Sequence, residues 1–138
     1  MNKFLTAILL ILCVTTFGQG ATKTEMPIQT VDRIFNQYTK VEDNSPSQSV
    51  KDEMTKALTA LQQSSSKTDL PLLLNVWMYF DPTDFPTRKL IEPIIHKDKA
   101  ASLIAIDKRL KKKRKTESKE NAPYSDLLSL RQQLSLEK

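Results

Sequence analysis

Glycine is almost missing from this chain, which has only Gly18 and Gly20, both near the N-terminus. Phosphate-cradling loops, dinucleotide fingerprints and two-residue hairpin turns need glycine where the backbone takes positive φ or a ligand comes close. Those functions are excluded. Cysteine is equally scarce. The single one, Cys13, lies in an apolar N-terminal stretch expected to be removed, which leaves a mature chain with no disulfide and no thiol chemistry. Leu12 stands before it, where a bacterial lipoprotein signal would carry a small residue. One histidine, His96, supplies too few nitrogen ligands for a closed zinc site, so neither a metal nor a cofactor is expected. Long apolar runs are lacking as well. Residues 4–17 are uncharged, but as a helix they would reach about 21 Å against a hydrocarbon core of ~30 Å. The run at 70–80 is shorter still.

What the N-terminus does contain is a targeting segment. Met1-Asn2-Lys3 supplies a positive start, residues 4–17 an apolar region, and Gly18 or Gly20 a small residue at the cleavage position. Residues 1–20 therefore read as a cleaved secretory signal, and the protein as exported, periplasmic or secreted. The remainder is one domain's length with ordinary apolar content.

Charge is segregated along it. Residues 21–87 carry six Lys/Arg against nine Asp/Glu, residues 88–115 eleven against three, and residues 116–138 three against four. The net charge of +5 is thus a local excess. Its centre is Lys108, Arg109, Lys111, Lys112, Lys113, Arg114 and Lys115. A solvated helix end is the plainest reading of this run. The functional reading is a partner-binding patch, for which an acidic protein is the expected partner and an anionic membrane surface the other. Specific nucleic-acid recognition is not expected, since tyrosine and tryptophan are not interleaved with these cations as a stacking platform requires.

Periodicity predicts helices throughout. Ile28, Val31, Ile34, Phe35, Tyr38 and Val41 repeat at three and four residues after Pro27, which suits a first turn. Residues 42–49 are polar with Ser45-Pro46, a loop. Ser49 is the expected cap of a second helix, with Asp52 and Glu53 in its first turn and Val50, Met54, Ala57, Leu58 and Leu61 inward. Thr68 or Asp69 caps a third helix over residues 70–80, where helix is preferred to strand because no other segment offers a strand partner. Thr83 or Asp84 caps a fourth, expected to kink or end near Glu92 because of Pro93. Asp98 caps a fifth with Ala100, Leu103 and Ile104 inward, and less firmly Ile106 and Leu110. After a polar linker at 116–123, a C-terminal helix at 124–138 turns Tyr124, Leu127, Leu128, Leu130 and Leu134 inward. The fold class expected is all-α: a small bundle or short solenoid of five to six helices, with the helical domain proper at 21–115 and residues 69–96 its packing centre.

Ala57-Leu58-Thr59-Ala60-Leu61, then Asp69-Leu70-Pro71-Leu72-Leu73-Leu74, then Asp81-Pro82 followed by Arg88, resemble the HEAT-like repeat pattern over about forty residues. Gln62 to Ser66 stand where that family usually has a loop glycine, and Thr87 where it has valine. The resemblance implies stacked helical pairs that offer a protein-binding surface.

Candidate chemistry is sparse. Glu92 and His96 are four apart and could form an acid–base pair on one helical face. Asp81 and Asp84 could form a carboxylate pair, although turns and caps use the same residues. Ser64-Ser65-Ser66-Lys67 matches the Ser-x-x-Lys signature of penicillin-recognising enzymes without the Lys-Thr-Gly strand that must accompany it, and reads as a joint. The function expected is a non-enzymatic helical protein-interaction module, with immunity, chaperone and scaffold roles equally open. A small periplasmic enzyme using Glu92 and His96, or Asp81 and Asp84, is the alternative.

Overall fold

A computed structural model describes residues 25–40, 46–64, 68–80, 83, 85–112 and 122–137. The expected signal segment with Cys13, Val41, part of the 42–49 loop, residues 65–67, Asp81, Asp84, Lys113, Arg114, Lys115 and most of the linker lie outside them. The described residues form six α-helices and no strand: α1 Pro27–Tyr38, α2 Gln48–Gln63, α3 Leu70–Tyr79, α4 Thr87–Lys97, α5 Lys99–Lys111 and α6 Ala122–Leu136.

The chain folds as two outer pairs held on a central hairpin. α1 packs on α2, and α2 on α4; α4 meets α3 and α5; α3 also meets α5 and α6, which pack on each other. α2 and α3, which the HEAT-like pattern would join in one repeat, are not among these closely packed pairs. α3 is uncharged along its whole length and apolar on most of its faces, as suits a helix enclosed by others, with Leu73, Leu74, Val76 and Trp77 buried. Its companions in the core are Val31 and Ile34 of α1, Met54 and Leu58 of α2, Ile91 and Ile95 of α4, Ile106 of α5, and Leu127 and Leu134 of α6.

Helix ends follow local chemistry. At α1 the Gln29 side chain reaches back to accept from the Met26 backbone N–H, at 3.1 Å. Asp69 accepts from Leu72 N at 3.1 Å with Pro71 in the first turn, which fulfils one of the two caps expected for α3. Asp98 is at once the last residue of the α4 turn and the N-cap of α5, accepting from Ala101 N at 3.1 Å. Carbonyls left without donors at helix C-termini find side chains instead: Tyr79 Oη donates to Tyr38 O at 2.7 Å, Lys97 Nζ to the carbonyls of Gln62 and Ser64, and Ser102 Oγ to Ile95 O at 2.7 Å.

Five expectations need correction. α2 starts at Gln48 behind Ser47, so Ser49 is not its cap; the earlier start lets Gln48 Nε2 donate to Asp52 at 2.8 Å, one turn on. α4 starts at Thr87 rather than behind Thr83 or Asp84. Backbone before a proline is biased away from helix, and with Phe85 and Pro86 both outside the helix the start falls at Thr87. Of the kink or end expected at Pro93, the end does not occur: α4 continues past it to Lys97. Both Pro93 and Lys89, whose carbonyl loses its donor, are exposed, and water can supply what the ring removes. On α5, Ala100 and Ile104 face outward, Ile104 at 69% exposure, while Ile106 is fully buried. The bond from Ser102 to Ile95 fixes position 102 inward, and two residues are about 200° of helix, which swings Ile104 to solvent. On α6 the inward set is Tyr124, Leu127, Leu130 and Leu134, with Leu128 exposed.

Candidate functional site: a basic groove between α3 and α5

The last turn of α5 carries Lys108, Arg109 and Lys111, with Lys112 as its C-cap. Cations are favoured there, because the helix dipole places partial negative charge on the terminal carbonyls. Their arrangement is not a plain fringe. Arg109 is tied down: its Nη1 donates to Tyr124 Oη at 3.0 Å, and its guanidinium carbon lies 5.6 Å from that ring's centroid. Two residues before it, Asp107 accepts from Arg131 Nε at 2.5 Å and Nη2 at 3.3 Å. The Arg131 hydrogen bond, aided by the charges of Arg131 and Lys111, holds the Asp107 carboxyl below its usual range. These contacts fix the α5–α6 pair and with it the direction of the basic turn.

Facing that turn is the N-terminal half of α3. Between them lies a cavity of about 560 Å³, with Pro71, Leu74 and Asn75 on the α3 side and Ala105, Lys108, Arg109, Lys111 and Lys112 on the α5 side. That size falls within the ordinary range of ligand clefts, roughly 300–1,000 Å³. Its floor is apolar and its rim cationic. Among the described residues Lys108 and Lys112 enter no ion pair, and the half-buried Asn75 carboxamide makes no hydrogen bond. Four of the seven basic-run residues are thus brought to one groove. Lys113, Arg114 and Lys115 lie outside the described residues.

A second cavity of about 750 Å³ opens beside Asp69 and Leu72, on the first turn of the same helix α3, against Glu25, Ile28, Gln29, Asp32 and Arg33 of the α1 region. It is larger, but its polar groups are already engaged. Glu25 accepts from Thr30 at 3.0 Å and from Arg33 at 3.2–3.3 Å, Arg33 also bonds Glu53, Asp32 accepts from Asn36 at 2.9 Å, and Asp69 caps α3. Arg33 holds the Glu25 carboxyl below its usual range. Little unspent polar capacity remains there for a ligand.

The candidate acid–base residues are drawn to other partners. Glu92 Oε1 accepts from the Trp77 indole N–H at 3.3 Å, while His96 Nδ1 lies 3.0 Å from Glu137 Oε2. Asp81 and Asp84 are not described. Among the described residues no group of three or more His, Cys, Asp or Glu is placed to hold a metal ion, and no helix is long and apolar enough to cross a membrane.

Sequence reasoning found the cations and missed the other wall. Pro71, Leu74 and Asn75 sit more than thirty residues upstream, and no local pattern ties them to α5; an uncharged run interrupted by one asparagine was the single available sign. Arg88 enters the sequence pattern only through the HEAT-like resemblance, yet it links three helices. Its Nε donates to Trp77 O at 3.0 Å and its Nη1 to Asp126 Oδ2 at 2.6 Å, with the guanidinium 4.2 Å from the Trp77 ring. No protein-family model, no curated protein and no solved structure matches the chain.

Proposed function

We propose that this chain is an exported, non-enzymatic helical module that captures a protein partner with an acidic surface through the basic end of α5. The observation that carries the reading is the groove: Lys108, Arg109, Lys111 and Lys112 line a concave site with an apolar floor, where a fringe of merely solvated cations would have no concave wall opposite. Two of the ammonium groups are unspent within the described fold, and the charge excess around them steers an acidic surface into place. The N-terminal segment supports export.

The test compares the exported protein with a variant in which Lys108, Lys111 and Lys112 are replaced by Gln, both immobilised and offered cell-envelope proteins at low and high salt. The wild type should retain an acidic protein at low salt and release it near 1 M, where the screening length is only about 3 Å. The variant should fail to retain it while keeping its helical circular dichroism. Retention that ignores both salt and the substitutions contradicts the proposal.

A further inference from the structure

The chemistry of the groove specifies more than the sign of its partner. We propose that it receives a linear peptide segment in extended form, with two acidic residues two positions apart and an apolar residue between them. This rests on the reading of the basic end of α5 as a partner-binding surface, and adds to it the form and pattern of what is bound.

Three features of the groove point to that occupant. First, Lys108 and Lys112 are four residues apart along α5, a rise of about 6 Å at ~1.5 Å per residue. In an extended chain the side chains that share a face recur every second residue, at roughly 6.6 Å. Two carboxylates on one face of a strand therefore match the two unpaired ammonium groups, whereas carboxylates on adjacent residues point to opposite sides. Second, the residue between those carboxylates faces the other way, toward α3, and there the groove offers it Pro71 and Leu74. Third, Asn75 lines the same cavity, is half-buried, and makes no hydrogen bond within the described residues. A carboxamide has both donor and acceptor, the pair that a peptide group presents in reverse. The concave site does not present its floor to a flat membrane surface.

The probe is the peptide Gly-Glu-Leu-Glu-Gly-amide with fluorescein on its N-terminal amine, titrated against the protein recovered from the exporting cell and followed by fluorescence anisotropy. Replacing its Leu by Ser should weaken binding about tenfold, the value of one buried aliphatic side chain at the low end of its range. Placing the two Glu side by side should weaken it several-fold. On the protein, Lys108→Ala with Lys112→Ala should cost roughly twofold to thirtyfold, two exposed ion pairs' worth. Ala105→Trp, which fills the floor, should abolish binding; should that variant lose helical content, Asn75→Ala reads the main-chain contact instead and should weaken every peptide alike. If the lysine variant loses the peptide but Asn75→Ala and a folded Ala105→Trp bind as before, the groove occupancy is wrong while the basic surface stands. If the Ser and adjacent-Glu peptides bind equally well, the pattern is wrong. Binding to vesicles containing phosphatidylglycerol, with none to any peptide, overturns the proposal in favour of a membrane surface. Indifference of every probe to the lysine variant removes both readings.

Discussion

Arg88→Ala is the substitution to which the fold should be most sensitive among its charged residues. The side chain is 15% exposed and makes three kinds of contact. Its Nε bonds the Trp77 carbonyl at 3.0 Å, a group in the last turn of α3 with no intrahelical donor of its own. Its guanidinium covers the Trp77 ring at 4.2 Å and its Nη1 reaches Asp126 on α6 at 2.6 Å. A hydrogen bond from a charged donor contributes about 1.5–3 kcal/mol, and a largely desolvated cation–π contact about 1–2. The Asp126 pair adds less than about 1 kcal/mol, because that carboxylate is 42% exposed and screened. One side chain makes all three contacts, so they do not add fully; truncation should cost about 2–4 kcal/mol. A domain with no disulfide has roughly 5–15 kcal/mol in all. Urea unfolding followed by circular dichroism and by the fluorescence of Trp77, the only tryptophan, measures the change. Arg88→Lys keeps the charge but loses the planar fork and should recover less than half of it. A truncation within about 0.5 kcal/mol of wild type, or a lysine variant equal to wild type, refutes the assigned role.

Pro93→Ala should stabilise the protein by about 1–2 kcal/mol in the same assay: it restores the donor missing from an exposed α4 turn, offset in part by a more flexible unfolded chain. Thr87→Val should be neutral or stabilising by up to about 1 kcal/mol, because Thr87 Oγ1 is fully buried and has no partner among the described residues. Asp107→Asn bears on pH. A carboxyl held low in the folded state contributes stability above its ordinary range and loses it as pH falls through the lowered value. The variant should therefore be less stable than wild type near neutral pH and equal to it in strong acid, as read by urea midpoints across pH.

Where a side chain acts on its own backbone neighbourhood, the sequence was enough. Asp69 and Asp98 stand immediately before α3 and α5 and cap them as expected, and the central place of the uncharged run follows from its lack of a polar face. What escaped depended on distant partners or on two local rules in competition. At α4 the pre-proline restriction on Phe85 outweighed the capping preference of Asp84, and solvent on the exposed side let Pro93 stay in the helix. On α5 the pattern Ala100, Leu103, Ile104 gave way to one buried hydroxyl bond, from Ser102 to Ile95 O at 2.7 Å, which no hydrophobic periodicity encodes. The groove escaped for the same reason. Its cations are conspicuous in the sequence, but its floor and its asparagine come from a helix that tertiary packing alone brings opposite.

The central claim is that binding occurs in the groove between α3 and α5 and not over the positive surface as a whole. Amide chemical-shift mapping of the isotope-labelled protein during titration with the Glu-Leu-Glu peptide tests it directly. The account predicts perturbations concentrated at Leu74, Asn75, Ala105, Lys108 and Lys112, from both helices together. Shifts spread over Lys89, Lys97, Lys99 and the α5 cations alike, with α3 silent, would contradict it.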